Sequence, residues 1–198
     1  DFHPLPLPRA LPICNLNLPV PMGFTIDTDV SARYTYRDKI TINYLGFRVI
    51  KAYASMAKQL GHAPLVSVRS GAPVSMPGMM DTILNIGIND ENFDEWSERL
   101  GKEAATDCYL RLVTMYNEVV LGIDPSAVPE YCLKAVRLDN AKGAYKKLVG
   151  EEFPQAIEEQ LAGAIEAVFL SWNSDRAKAY RSLHGYPDHW GTAVNVQQ

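Results

Sequence analysis

The sequence predicts an α+β fold dominated by helices, and three observations carry that reading. Apolar residues recur at three- and four-residue spacing through several long segments. Short β-branched runs beside glycine stand between those segments. Hydrophobic residues make up 47% of the 198, enough to bury a real core in one compact domain or two intimately packed lobes.

The chain opens with Pro4, Pro6, Pro8, Pro12, Pro19 and Pro21. Each fixes φ and removes a backbone donor, so residues 1–21 are expected to run as an extended arm, with residues 22–198 forming the domain. Gly23 to Ile26 reads as a short strand, and Thr28 or Asp29 as the cap of a helix through Arg33 to Tyr36. Ile42, Leu45, Val49, Ile50, Tyr53, Met56 and Leu60 mark an amphipathic helix that Gly61 ends. Leu65 to Val68 and Thr82 to Ile86 are apolar strands, the second followed by a turn at Gly87 and Asn89-Asp90.

Asn92 or Asp94 opens a helix to about Leu100, and Ala104, Cys108, Leu112, Met115 and Val119 place a long helix from Lys102 to Leu121, stopped by Gly122. Pro125 and Pro129 bracket a linker, and Tyr131 to Leu148 forms one or two helices with polar faces. Pro154 is expected in the first turn of a helix running Ala156 to Trp172. Asp175 opens a short helix through Tyr180 and Leu183, and Trp190 to Val196 reads as a strand.

A net charge of −4 leaves no basic stripe of the kind that binds duplex nucleic acid. Cys14, Cys108 and Cys132 are odd in number and widely spaced, which points to reduced, mostly buried thiols in a reducing compartment instead of a disulfide framework or a zinc site. No apolar run approaches the roughly 20 residues of a membrane span, and no basic-then-apolar leader opens the chain. A soluble protein of the cytoplasm or an organelle is expected, the plastid stroma included. His3, His62, His184 and His189 are scattered without metal-ligand spacing, and no serine or cysteine sits in a nucleophile elbow, so no catalytic and no metal-binding residue is assigned.

The stretch that no core or surface requirement explains is Ser67 to Asn85, SVRSGAPVSMPGMMDTILN. Here a strand end delivers Arg69 beside Gly71, and a Met/Pro/Gly segment follows. A planar guanidinium next to bare backbone N–H groups suits a phosphate, while the plainer reading is a strand, a turn and a methionine-rich patch.

This stretch, together with NLPVPMGFTIDTD at Asn17 to Asp29, MYNEVVLGID at Met115 to Asp124, GEEFP, AIEAVFLSWNSDRAKAYR and DHWGTAVNVQ, resembles the N-terminal nucleotide-binding domain of pyruvate phosphate dikinase, block for block and in the same order. The resemblance implies part of an ATP-grasp-type domain, with ATP and magnesium as cofactors. It matches Arg69 to an arginine that contacts the ATP phosphates, and Gly78, Met79 and Met80 to a loop that reaches over the terminal phosphates. Arg111 matches a second phosphate-facing arginine, with a salt bridge to Asp107 as its structural alternative. Gly191 and Thr192 match a small-residue loop, and Val194 to Gln197 a strand bordering the adenine pocket.

The departures are equally specific. No lysine lies between Asp1 and Arg37, where the family has a nucleotide-contacting lysine. Pro73 and Val74 stand where the family has arginine and alanine, and the segment from Asp124 to Gly150 is shorter than the family's. The acidic magnesium ligands of the family lie in segments beyond Gln197. Two functions follow as expectations: the ATP-binding portion of a dikinase-like phosphotransferase that works with further segments, or an inactive, dikinase-derived scaffold or accessory subunit. An incomplete lobe leaves an apolar face, and where missing dikinase segments would normally cover it, a partner, a dimer mate or another protein subunit is expected there.

Overall fold

The computed structural model of the chain describes residues 2–4, 21–36, 42–122 and 138–198. Most of the proline-rich arm, Cys14, Cys132, the Pro125/Pro129 linker and the start of the following helical segment lie outside these residues. In chain order the elements are β1 (Phe2–Pro4), β2 (Gly23–Ile26), α1 (Thr28–Tyr36), α2 (Ile42–Leu60), β3 (Val66–Gly71), β4 (Thr82–Ile86), α3 (Phe93–Leu100) and α4 (Lys102–Met115). They continue with α5 (Leu138–Val149), α6 (Ile157–Ser171), α7 (Asp175–His184) and β5 (Ala193–Gln197). The fold is α+β and helix-dominated.

The strands form one five-stranded sheet in the order β1-β2-β5-β3-β4, every pairing antiparallel. Alternation along a strand sends successive side chains to opposite faces, and here it largely separates apolar from polar residues. Phe24, Ile26, Val66, Val68, Ile83, Ile86, Val194 and Val196 are buried on one face. Helix α6 lies against that face with Leu161, Ala164, Ile165 and Val168 fully enclosed, and α2 packs on α6 through Val49, Tyr53 and Met56. Helix α4 covers β4 and carries α3 and α5 on its other sides.

Strand β4 breaks the simple alternation. Val66 pairs with Ile86 and Val68 with Ile83, so two steps on β3 face three on β4. The extra residue is absorbed as a bulge in which Asn85 adopts φ 60°, a conformation asparagine tolerates better than other side-chain-bearing residues. Its Nδ2 donates to the Cys108 carbonyl at 3.1 Å and ties the bulge to α4. Among the described residues Cys108 is a free, half-buried thiol whose pKa is raised, by burial first and then by Asp107, against a lowering by Arg111.

Four boundaries differ from the sequence reading. The cap of α1 is Asp27, whose carboxylate accepts from the Asp29 N–H at 2.7 Å, while Thr28 is already helical. The long helix keeps α geometry only to Met115 and continues as a π-helical turn over Tyr116–Val120. That wider turn places the Tyr116 hydroxyl 3.2 Å from the Glu159 carbonyl, where it passes over Gly163 of α6. Pro154 precedes α6 and does not enter its first turn; its carbonyl accepts instead from Gln160 Nε2 at 2.8 Å. Strand β5 begins at Ala193 because residues Asp188–Trp190 form a 3-10 turn.

Gln160 is one of several polar residues buried among the described ones. It is fully buried, and its amide satisfies the Gly87 N–H and the carbonyls of Ile88 and Pro154 at 3.0, 3.2 and 2.8 Å. Buried amides are tolerated when their donors and acceptors are met in this way.

Candidate functional site

The face of the sheet opposite α6 is mostly polar. It carries Thr25 on β2, Ser67 and Arg69 on β3, Thr82 on β4, and Asn195 and Gln197 on β5, all half-buried or exposed, with Leu84 and Ala193 among them. Register brings four of them into one row across the sheet: Thr25 opposite Asn195, Asn195 opposite Arg69, and Arg69 opposite Thr82. Gln197 stands in the next row on that face, opposite Gly23 and Ser67, and its carbonyl accepts from Ser67 Oγ at 3.0 Å.

Arg69 is exposed, and among the described residues its guanidinium has no hydrogen-bond or ion-pair partner. A permanently charged, planar donor fork on an otherwise neutral polar face is suited to an oxyanion such as phosphate or carboxylate.

The methionine-rich loop springs from the same hairpin. Arg69 lies two residues before β3 ends at Gly71, and the chain returns to β4 at Thr82, opposite Arg69. Gly78 takes φ 71° at the exposed tip, where a side chain would meet nothing but its own backbone strain. The base of the loop is docked. Met76 is buried against Trp172 and Ala177, with Met79, Met80, Ala72, Val74 and Tyr180 packed around them. The Asp81 carboxylate pairs with Arg176 on α7, and the Asp81 N–H reaches Ser171 Oγ at 3.5 Å. Met80 and Met79 are thus half-buried packing residues in this arrangement as well as neighbours of the loop tip.

The segment that leads into β5 is organised by a residue the sequence reading passed over. Arg181 on α7 is 1% exposed, stacks 4.1 Å from the Trp172 ring centre, and donates to the Trp172 carbonyl and to Asp188. Trp172 Nε1 donates in turn to the Asp188 carbonyl at 2.8 Å. The 3-10 turn is thereby fixed to the end of α6. Gly191 then takes φ 69° and passes so close to α1 that a Cβ would lie 3.2 Å from Ser31 Oγ.

The predicted site residues therefore fall into three places. Arg69 and Gln197 share the open face of the sheet, with Gly78 and Met80 on the loop that rises from its edge. Arg111 is exposed on α4 and forms the i,i+4 ion pair with Asp107 at 2.9 Å. Gly191, Thr192 and Val194 are buried. Thr192 accepts its place through an N–H to Ser31 Oγ contact at 3.4 Å and a hydroxyl bond to the Ala193 carbonyl at 2.9 Å, and the Val194 side chain faces the core. Gly191 turns the chain onto α1, and strand parity sends the Val194 side chain inward, leaving Asn195 and Gln197 as the side chains that β5 presents to the open face.

The sequence reading did not single out Thr25, nor Asn195 within the strand Val194 to Gln197. Thr25 Oγ1 donates to Asn195 Oδ1 at 2.8 Å, across the two strands. The available signal was the period-2 pattern of polar residues in GFTI and AVNVQ, which marks one wet face but not which strands adjoin. Among the described residues no group of three or more His, Cys, Asp or Glu side chains forms a metal centre, and no helix is long and apolar enough to cross a membrane.

The structure thus defines an α+β domain whose one-sided antiparallel sheet carries an exposed, anion-suited arginine beside a Gly/Met loop. The chain matches, over residues 43–198, the family described as the pyruvate phosphate dikinase AMP/ATP-binding domain. It is 40% identical over 211 aligned residues to the pyruvate, phosphate dikinase of Rhizobium meliloti (strain 1021), covering 93% of this chain and 24% of that protein. Against the Clostridium symbiosum enzyme the identity is 37%, covering 92% and 24%, and against the chloroplastic pyruvate, phosphate dikinase 1 of Arabidopsis thaliana it is 34%, covering 93% and 22%. The chain belongs to the pyruvate phosphate dikinase AMP/ATP-binding domain family, and it spans about a quarter of the length of these relatives.

Proposed function

We propose that this chain is the ATP-binding portion of a pyruvate phosphate dikinase-like phosphotransferase and that it holds the ATP phosphates against the open face of its sheet, at Arg69. The observation that carries the reading is the guanidinium itself: exposed, without a partner among the described residues, and set in a polar row at the root of the methionine-rich loop. Gly78 lets the loop backbone approach the terminal phosphates, and the loop methionines shield them from water. Arg111 is a second phosphate contact once it leaves Asp107, since an exposed i,i+4 pair is worth only about 0.3–0.5 kcal/mol.

The domain in this reading is one part of an ATP-grasp-like site. Bound magnesium would offset the phosphate charge. Among the described residues no group of three or more His, Cys, Asp or Glu side chains could hold that ion. Further segments of the kind that make the relatives about four times longer supply the metal ligands and the chemistry of transfer.

Calorimetric titration of the folded chain with MgATP, beside Arg69→Ala, tests the reading. Saturable binding that weakens at least tenfold in the variant is expected. Equal binding by the two proteins, or no heat at millimolar nucleotide, overturns it.

A further inference from the structure

Asn195 stands between Thr25 and Arg69 in the cross-strand row, and its side chain is only half accounted for by the protein. Its Oδ1 accepts the Thr25 hydroxyl at 2.8 Å. With the amide oxygen turned to Thr25, the NH2 group faces the other way, toward Gly71. Among the described residues the Nδ2 donors have no acceptor.

The neighbouring backbone makes room for this amide. A Cβ at Gly71 would lie 2.9 Å from Asn195 Nδ2 and 3.3 Å from the Ala193 Cβ, so any larger residue there would press on the NH2 group. Directly opposite Asn195 lies Arg69, whose guanidinium is likewise without a partner among the described residues. Facing residues of an antiparallel pair have Cβ atoms about 4.5–5.5 Å apart, a separation that one phosphoryl group can bridge with two of its oxygens. Two unpaired donor groups, one charged and one neutral, with no acidic side chain in the row, form a larger anion cradle than Arg69 alone.

We propose that Asn195 is a phosphate-binding residue that donates through Nδ2 to the same phosphoryl group as Arg69, with Thr25 as the positioning residue that fixes the orientation of its amide. This rests on the reading that ATP phosphates occupy the open face. A neutral amide adds directionality that a guanidinium lacks. It also adds no charge that would retain a product anion.

The test is a double-mutant cycle on ATP affinity, measured by calorimetry with Arg69→Ala, Asn195→Ala and the double variant, each checked for native thermal unfolding. Asn195→Ala is expected to weaken ATP about tenfold, the scale of one hydrogen bond to a charged group. The double variant should lose less than the product of the two single effects, because both residues meet one phosphoryl group. Asn195→Asp keeps the acceptor for Thr25 but places a carboxylate beside the phosphate and Arg69, and it should bind more weakly than Asn195→Ala. Thr25→Val should lose affinity severalfold, and Thr25→Ser, which restores the hydroxyl, should recover it.

Normal ATP binding by Asn195→Ala and Asn195→Asp, in a protein whose Arg69→Ala variant has lost it, overturns this proposal and leaves the phosphate site standing. Independent, multiplying effects in the double variant overturn the shared phosphoryl group. Absence of ATP binding by the unaltered chain overturns both this proposal and the reading it rests on.

Discussion

Arg181 donates from both Nε and Nη2 to one oxygen of Asp188, at 2.8 and 2.6 Å, although the arginine is 1% exposed and the aspartate 74%. The cation is thus held in the interior while its counter-ion sits at the surface. The remaining guanidinium bond goes to the Trp172 carbonyl, and the Trp172 ring covers the charge. A buried charge needs this degree of pairing, because desolvation costs more than one bond returns.

Removing the carboxylate should therefore cost more than removing an ordinary surface ion pair. Asp188→Ala is expected to destabilise the protein by about 2–3 kcal/mol, against about 0–1 kcal/mol for an exposed pair such as Arg99 with Glu95. Urea unfolding of Asp188→Ala beside Glu95→Ala checks this. Equal midpoints would show that Arg181 is adequately solvated without Asp188.

Tyr116 and Gly163 form a tighter relationship. A Cβ on Gly163 would stand 2.1 Å from the Tyr116 hydroxyl oxygen, 3.0 Å from the ring carbon that bears it and 3.3 Å from a Val120 methyl. Tyr116 is 4% exposed and packs edge-on against Phe153, with ring centres 5.4 Å apart, so it has little space to retreat. Gly163→Ala should cost about 1–3 kcal/mol through overpacking, despite the better helix propensity of alanine. Adding Tyr116→Phe removes the nearest atom and should recover part of that loss in thermal unfolding. A double variant no more stable than Gly163→Ala would place the strain elsewhere.

These two relationships show what could be read from the residues and what could not. The helix and strand positions follow from periodicity, because burial on one face dictates spacing: Val49, Tyr53 and Met56 on α2 and Val194 and Val196 on β5 all lie inward as that logic requires. The exposure of Arg69 follows from the same alternation on β3. Strand order does not, since nothing local says that β5 inserts between β2 and β3, and it is this insertion that sets Asn195 between Thr25 and Arg69. Nor does local pattern reveal the π turn at Tyr116–Val120, whose first residue lies against a glycine 47 positions further along the chain. Arg181 read as one more polar residue of a short helix because its partner Asp188 and its cover Trp172 belong to other elements.

Several tyrosines should report on alkaline unfolding. Tyr53 donates to the Pro64 carbonyl at 2.8 Å, and its pKa is pushed up to about 12, by burial first and then by Glu158. Tyr34 bonds to Glu166 and is also pushed up to about 12, by burial, by that hydrogen bond and by the glutamate charge. Both raised values mean that the folded state holds the phenolic proton more tightly than the unfolded chain does. The stability this contributes is full below about pH 10, the unfolded value, and is lost as pH rises toward about 12. Phenolate absorbance should therefore rise in two phases, the later one coinciding with loss of helical circular dichroism. Tyr53→Phe should flatten the decline of stability above pH 10, at a cost near neutrality of about 1 kcal/mol for the carbonyl left unpaired. A single early phase with native circular dichroism would mean that these hydroxyls ionise in the folded protein.

The methionine-rich loop should respond differently to its two anchors. Met76 sits 6% exposed against Trp172 and Ala177, whereas the ion pair of Asp81 with Arg176 is 25% and 51% exposed at its two side chains. Apolar burial of a whole methionine side chain is worth about 1.5–3 kcal/mol, and a solvated ion pair at most about 1 kcal/mol, so Met76 is the stronger hold on the loop. Because the anchor serves a local segment, its loss should appear first as local opening instead of global unfolding. Met76→Ala is expected to raise amide hydrogen exchange across residues 72–80 by roughly tenfold or more, while exchange in β3 and α6 changes little. Asp81→Asn should raise it only a few fold. If Asp81→Asn opens the loop more than Met76→Ala does, the ion pair and not the Trp172 pocket fixes its position, and the loop would be governed by salt concentration, since exposed charges are screened as ionic strength rises. The expected ordering makes the loop insensitive to salt and sensitive to side-chain volume at Met76, a distinction that exchange at low and high ionic strength resolves in one experiment.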